Sequence, residues 1–181
     1  MIIHLNEFEV HLSDGYNLNP QSFTLEYPRK LGVIREFQAS TKHGIRIYKN
    51  AKEISSAIFI ETGGATGLHE KSFAIKEKQI LLCCAEFIYS INLPDLTVNW
   101  RKQLDGATCF GIHPYQEDFI IHGELEITRI NENGNVKWAF GPGEIFVTPD
   151  GKEVFTINED LIEVKNWDGE LFILNGNGEK A

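Results

Sequence analysis

Short apolar runs alternate with turn-forming residues along most of the chain, and the runs recur in the same order three times. Each repeat ends in a strand that carries a large aromatic residue, and these residues are Trp100, Trp138 and Phe172. Runs rich in β-branched and aromatic residues, bounded by Gly, Pro, Asn and Asp, predict strands. The aromatic ends lie 38 and then 34 residues apart, close to the length of one four-stranded repeat unit. The pattern therefore predicts an all-β protein.

The repeats divide the chain into two parts within one compact domain. Residues 1–43 lack a clear repeat and are expected to form N-terminal strands that act as a cap, with a short helix over residues 30–39. Residues 44–175 are expected to form blade-like units, whose approximate bounds are 44–71, 72–106, 107–143 and 144–175. The glycine-rich end of the chain, residues 175–181, is polar and is expected to be frayed.

Turns in the repeated part resemble those of the β-propellers of the pyrroloquinoline quinone type. In Asn131-Glu-Asn-Gly-Asn-Val-Lys-Trp138, an Asn-Gly turn is followed by a strand that closes on Trp. Trp167-Asp-Gly-Glu-Leu-Phe172 is similar, with Phe in the Trp position, and Leu96-Thr-Val-Asn-Trp100 is similar without the glycine. The resemblance implies a partial or small β-propeller-like stack of antiparallel four-stranded blades. It does not imply the quinone, and no cofactor is expected.

Three or four blades leave open sheet faces at the two ends of the stack. Propellers protect their edges by closing a ring, which a chain of 181 residues is too short to do with the usual number of blades. Residues 1–43 can cover one open face. Alternatively, two copies of the chain can bury both faces by pairing about a twofold axis, which predicts a homodimer.

Charge and composition narrow the classes of partner. The net charge of −9 argues against nucleic acid, whose phosphates need a basic surface, and favours a basic protein partner. The sequence shows neither a signal peptide nor an apolar stretch of about 20 residues, so no membrane association is expected. The three cysteines, Cys83, Cys84 and Cys109, are too few for a disulfide framework and fit the reducing cytoplasm.

Four residues are weak candidates for a catalytic or ligand-binding pocket: His69, Glu70, Cys109 and His113. A cysteine beside a histidine and an acid has the composition of a nucleophile site. The alternative for Cys109 is a small buried hydrophobic residue, which is the usual role of a free cysteine. The six histidines show no metal-binding spacing, so no metal site is expected.

These observations favour a non-catalytic protein-binding module over an enzyme. One specific form is a small acidic immunity or antitoxin-type protein that neutralises a basic toxin domain. The alternatives are a small-ligand-binding protein or hydrolase-like enzyme that uses the His/Cys/Glu pocket, and a structural subunit of a larger assembly.

Overall fold

The first sheet contains strands from both the start and the end of residues 1–43, the segment that was predicted to form a cap. The structure is a computed structural model and describes residues 1–15, 26–32, 39–148 and 154–181. Five strands form this sheet in the order β1-β2-β4-β5-β3, with β3 parallel to β5 and the other pairs antiparallel. The strands are β1 (Ile2–His4), β2 (Glu9–Asp14), β3 (Lys30–Gly32), β4 (Thr41–Lys49) and β5 (Lys52–Glu61). The predicted boundary at residue 43 lies within β4.

The second and third sheets are four-stranded antiparallel meanders, as the repeat predicts. The second consists of β6 (Phe73–Lys76), β7 (Gln79–Cys84), β8 (Phe87–Asn92) and β9 (Val98–Gln103). The third consists of β10 (Cys109–Tyr115), β11 (Asp118–Gly123), β12 (Ile127–Ile130) and β13 (Val136–Phe140). In each sheet the strands lie side by side in chain order, which is the arrangement of a propeller blade.

The fourth sheet has three strands, β14 (Phe155–Asn158), β15 (Leu161–Lys165) and β16 (Leu171–Leu174). It has one strand fewer than the predicted four-stranded unit over 144–175, and the apolar residues 145–148 at the start of that unit lie outside any sheet. The predicted helix over residues 30–39 is wrong at its start, because Lys30–Gly32 form β3, and residues 33–38 lie outside the described residues.

The sheets stack face to face and enclose three apolar layers. The first layer joins the first and second sheets and includes Ile45 and Ile80, and the second joins the second and third sheets and includes Leu81 and Ile121. The third layer joins the third and fourth sheets. Cys83 and Cys84 belong to different layers because neighbouring strand residues point to opposite faces.

A tryptophan on the fourth strand of one sheet binds the last turn of the next. Trp100 Nε1 donates to Glu132 O at 3.2 Å, and Trp138 Nε1 donates to Gly176 O at 2.9 Å. The turn backbone can approach each ring because a positive-φ glycine lies there, Gly134 below Trp100 and Gly178 below Trp138. A Cβ atom at Gly134 would lie 2.9 Å from the ring of Trp100. These contacts lock neighbouring sheets together.

Two expectations about the end of the chain are wrong. Phe172 is not equivalent to the two tryptophans, since it lies on β16, the third strand of its sheet. Residues 175–181 are not frayed: the Asn175 side chain accepts hydrogen bonds from the N–H groups of residues 177 and 179, and Leu174 forms a bridge with Lys180. The Asn131 side chain organises its turn in the same way.

We expect Trp138→Ala to lower the free energy of unfolding by about 3 kcal/mol, because it removes a large, partly buried ring that packs on the third apolar layer and one of the two donors to Gly176 O, the other being Arg129. Urea denaturation followed by circular dichroism measures the change. Trp167→Ala is the matched control, because Trp167 is 51% exposed and its loss should change stability by less than about 0.5 kcal/mol. Equal stability of the two variants would contradict the locking role of Trp138.

The outward face of the fourth sheet is mixed rather than apolar. Thr156, Asn158 and Glu163 form a hydrogen-bonded group on this face, and Leu171 beside them is 47% exposed. Polar outer faces are the usual solution at the ends of repeat arrays. Pairing of two copies stays a prediction, which light scattering of the purified protein would check.

Candidate functional site

A cavity of about 200 Å³ opens where the third and fourth sheets meet the connection between β5 and β6. It combines imidazole rings, aromatic rings and one ammonium group. The residues that line it are His69, Lys71, Phe110, Gly111, His113, His122, Val154 and Phe155. None of these described lining residues is acidic.

Strand β10 and the segment before β6 shape the entrance of the cavity. A register shift between Cys109 and Gly111 interrupts the pairing of β10 with β11 at this point. A Cβ atom at Gly111 would lie 2.8 Å from His113 Nε2, so the absence of a side chain makes room for the histidine ring. The His69 ring is held by its own segment, since Nδ1 accepts the backbone N–H of Lys71 at 3.2 Å.

The cavity wall is a group of closely spaced rings. The Phe155 ring lies 4.2 Å from that of His113 and 5.1 Å from that of His122, and it is nearly parallel to the latter at 16°. The Phe110 ring meets that of His122 edge-on at 5.6 Å. His122 Nε2 lies 3.0 Å from Phe146 O, which can only accept, so this nitrogen carries the proton and Nδ1 is bare.

The histidines of the cavity are neutral at pH 7. Burial, with smaller contributions from the nearby His122, Lys71 and His69, lowers the pKa of His113 to about 3. Burial also lowers the pKa of His122 to about 4, against the opposing effect of its hydrogen bond to Phe146 O. Burial lowers the pKa of His69 as well. The cavity therefore offers uncharged imidazoles at neutral pH.

The structure brings together two of the four candidate residues. His69 and His113 both line the cavity, whereas Glu70 is exposed outside it. Cys109 is fully buried between the second and third sheets, where its Sγ lies 3.4 Å from Glu86 O. Burial raises the pKa of the Cys109 thiol well above its usual value, which suits a packed hydrophobic residue rather than a nucleophile.

The sequence interpretation missed Lys71, Phe110, His122 and Phe155. His122 reaches the cavity because it pairs with Gly111 across β10 and β11, and such a register cannot be read from a single sequence. The sequence signal that could have indicated His122 was its spacing from His113 across a predicted hairpin. Within the described residues, no three His, Cys, Asp or Glu side chains are placed to hold a metal ion, and no helix could cross a membrane.

The turns at the other end of the strands from the cavity carry exposed carboxylates and are fixed in place. Glu117, Glu132 and Asp160 lie here on three different turns, and we call them the acidic turn surface. Tyr115 Oη donates to Asp160 O at 3.0 Å, which ties the turn of the fourth sheet to the third. Trp100 ties the Glu132 turn to the second sheet in the same way. Lys76 Nζ lies 3.7 Å from a carboxylate oxygen of Glu117 and 3.8 Å from one of Glu132, so it offsets part of their charge. These turns therefore present a net acidic group on a rigid backbone.

Comparison with known proteins identifies the fold. Neither a known protein family nor a curated protein matches the sequence. BamB from Moraxella catarrhalis is similar in structure, at 10% identity and a TM-score of 0.52 over 76% of this chain and 41% of that chain. BBS1N, solved in complex with ARL6DN, is similar at 14% identity and a TM-score of 0.52 over 78% of this chain and 47% of that chain.

The β-propeller domain of Myceliophteria thermophila Cps50 (Swd1) is similar at 5% identity and a TM-score of 0.51, over 77% of this chain and 56% of that chain. The chain thus spans about half the length of these three structures. At such low identities the likeness concerns the fold alone. The chain is an all-β protein with a partial β-propeller-like stack of antiparallel sheets.

Proposed function

We propose that this protein is a non-catalytic protein-binding module and that it binds a basic partner through the acidic turn surface. The observation that carries the proposal is the fixed placement of exposed carboxylates on turns of neighbouring sheets. Turns on a rigid frame are common recognition sites, because little conformational entropy is lost when they bind. BBS1N, a similar structure, was solved in complex with a protein, ARL6DN, which supports the same use of the fold here.

A specific form of the proposal is a cytoplasmic immunity or antitoxin-type protein that neutralises a basic toxin domain. The net charge of −9 supports this form, since opposite charge accelerates the encounter of two proteins.

We further infer that the repeats are of the type found in quinone-dependent propellers, without the cofactor. The inference is supported by the two matching turns, Asn131-Glu-Asn-Gly134 and Asn175-Gly-Asn-Gly178, each of which binds a tryptophan of the preceding sheet. Such turns stabilise the stack.

The test is capture of partners from the native cell lysate on immobilised protein at low and high salt. We expect a stoichiometric partner at low salt that is lost at high salt, because exposed charges are screened by ions. Neutralising the acidic turn surface should reduce capture about tenfold, the effect of losing three exposed ion pairs. The substitutions are Glu117→Gln, Glu132→Gln and Asp160→Asn.

A control variant with the same net charge separates the acidic turn surface from charge in general. Its substitutions neutralise three exposed carboxylates elsewhere on the protein: Glu70→Gln, Asp168→Asn and Glu170→Gln. Capture by the control should match that of the unmodified protein. The proposal would be contradicted if capture of the partner did not depend on salt, if both variants lost capture equally, or if no stoichiometric partner were recovered.

A further inference from the structure

We infer that a second cavity, between the second and third sheets, is a binding site for a guanidinium group. Its volume is about 330 Å³, and we call it the inter-sheet cavity. The residues that line it are Gln103, Leu104, Asp105, Gly106, Glu126, Thr128, Val136 and Ala139. None of them belongs to the acidic turn surface, so the inference does not rest on the proposed function.

Between the first and second sheets, the equivalent space is filled by an arginine of the chain itself. Tyr89 pairs with Arg101 across β8 and β9. The Arg101 guanidinium lies 3.3 Å from the centre of the Phe87 ring and binds both carboxylate oxygens of Glu61 in the first sheet. A planar cation therefore occupies the gap between these two sheets.

The strand pairing shows which residues of the third sheet correspond to this group. In both the second and the third sheet, a register shift adjoins the residue that pairs with the tryptophan of the fourth strand. On this alignment the pair Thr128–Ala139 of β12 and β13 takes the place of Tyr89–Arg101. An alanine thus stands where the second sheet has an arginine, and the inter-sheet cavity is the space that the arginine would fill.

Glu126 provides a carboxylate in the inter-sheet cavity, and the described residues include no partner for it. The lysines that precede Gln103 and follow Val136 are bound elsewhere: Lys102 Nζ donates to Gly134 O at 2.6 Å, and Lys137 Nζ donates to Asp118 at 2.7 Å. No described lining residue is basic. The Glu126 carboxylate therefore favours a cationic ligand.

Asp105, the other acid of the lining, is satisfied within the protein. Its two carboxylate oxygens accept the backbone N–H groups of residues 107, 108, 125 and 126 at 2.6 to 2.9 Å. These bonds fix the segment after β9 against the start of β12, so Asp105 shapes the wall of the inter-sheet cavity rather than its ligand contacts.

The polar atoms suit a guanidinium better than an ammonium. Thr128 is 2% exposed, and its hydroxyl has no hydrogen-bond partner among the described residues, a cost that an N–H donor in the cavity would remove. Gln103 uses its Nε2 to bind Asp105 O, which leaves its Oε1 as a further acceptor. An alkylguanidinium has five N–H donors in one plane, whereas an ammonium has three around one atom. The volume equals that of roughly eleven liquid waters, enough for a guanidinium with a short alkyl chain.

The experiment is a titration of the 181-residue protein with ethylguanidinium chloride at constant ionic strength, followed by the backbone amide resonances in proton–nitrogen correlation spectra. We expect saturable shifts at Glu126, Thr128 and Ala139, with a dissociation constant of about 1 mM or tighter, and no shift at Asp160. Propylammonium, which has the same charge and a similar size, should bind about fivefold more weakly because it has fewer donors.

A second probe identifies the source of the guanidinium. Nα-acetyl-arginine N-methylamide has the structure of an arginine within a protein chain. If it binds as tightly as ethylguanidinium or more tightly, the occupant is an arginine side chain of a partner. If it binds at least about tenfold more weakly, the occupant is a free guanidinium compound. Either result supports a guanidinium site.

Paired glutamate variants test the role of the carboxylate. Glu126→Gln should weaken ethylguanidinium binding about tenfold, whereas Glu170→Gln, which changes the net charge equally at an exposed residue before β16, should leave it within about twofold of the unmodified protein.

Ala139→Arg tests the correspondence with Arg101, because it places a guanidinium of the chain itself in the inter-sheet cavity. Ala139 is exposed, so the larger side chain can be accommodated, and the variant should weaken binding of added ethylguanidinium at least about tenfold while its spectrum remains that of a folded protein. The inference would be overturned if the shifts did not saturate, if propylammonium bound equally well, if the two glutamate variants had equal effects, or if Ala139→Arg left binding unchanged. None of these results depends on the outcome of the capture experiment.

Discussion

Acidification from pH 7 to about 4 is expected to lower the free energy of unfolding by several kcal/mol, because three buried histidines stay neutral in the folded protein. Burial lowers the pKa of His43 to about 4, that of His113 to about 3 and that of His122 to about 4. Each unit of pKa shift corresponds to about 1.4 kcal/mol, so the upper bound on the contribution is about 3.5 kcal/mol for His43 and for His122 and about 5 kcal/mol for His113.

The direction of this effect follows from proton uptake by the unfolded chain. Unfolded histidines bind protons below about pH 6.5, whereas these three rings in the folded protein do not until about pH 3 to 4. Stability is therefore complete above pH 6.5 and decreases as the pH falls toward the folded pKa values. In His43, neither ring nitrogen has a hydrogen-bond partner among the described residues, so a proton taken up there would be buried without an acceptor.

Urea denaturation at a series of pH values measures the loss of stability. His122→Gln keeps a donor for Phe146 O and removes the titrating ring, so its stability should fall less steeply below pH 6.5 than that of the unmodified protein. His4→Gln replaces a side chain that is 74% exposed and should follow the unmodified protein. The imidazole resonances of the folded protein report protonation directly. The prediction would be contradicted if His43, His113 and His122 of the folded protein titrated near pH 6.5.

Arg101→Met is expected to destabilise the protein by about 3 kcal/mol, because it leaves a buried carboxylate without its cation. The Glu61 side chain is fully buried, and Arg101 binds it with two hydrogen bonds, from Nε at 2.7 Å and from a terminal nitrogen at 2.9 Å. The Tyr89 hydroxyl donates to the same carboxylate. This group joins the first sheet to the second through β5, β8 and β9.

A double-mutant cycle separates the ion pair from the packing of Arg101, whose guanidinium also lies 3.3 Å from the centre of the Phe87 ring. Glu61→Gln combined with Arg101→Met should be more stable than Arg101→Met alone, because no unpaired charge is then buried. Arg46→Met is the matched control: its ion pairs with Glu26 and Glu53 are more exposed and should contribute less than about 1 kcal/mol. Equal losses for Arg46→Met and Arg101→Met would contradict the prediction.

The fold class was predictable because the strands carry strong local signals. Apolar runs such as those of β7 and β11 are bounded by turns, and the two four-stranded sheets follow from their order. The structural repeat is in fact more regular than the sequence suggests. The turns after β6, β10 and β14 begin with Glu77, Gln116 and Glu159, at φ values of 53°, 55° and 55°. Residues of these types do not indicate a left-handed turn, so this regularity was hidden.

The end of the chain was misinterpreted because polarity and glycine content were taken as evidence of fraying. The Asn-x-Asn-Gly sequence at 131–134 recurs at 175–178, and this recurrence identifies the true equivalent turn of the fourth sheet. Recognising this recurrence would have placed Phe172 on the third strand of its sheet rather than on a fourth strand. The cavity was less accessible to prediction, since Cys109 and His113 are four residues apart and would share a face of a regular strand. The register shift between Cys109 and Gly111 instead places them in different environments, and a single sequence does not show such a shift.

The arrangement of the three apolar layers has a consequence for cooperativity. Each inner sheet is stabilised from two sides, whereas the fourth sheet contacts one neighbouring sheet and has three strands. In a linear array of this kind the stability of each unit depends mainly on its nearest neighbours. Opening fluctuations should therefore begin at the fourth sheet and spread inward, with Trp138 and its turn as the first barrier. The cavity, which includes Phe155 of this sheet, would then open and close with the least stable unit of the protein.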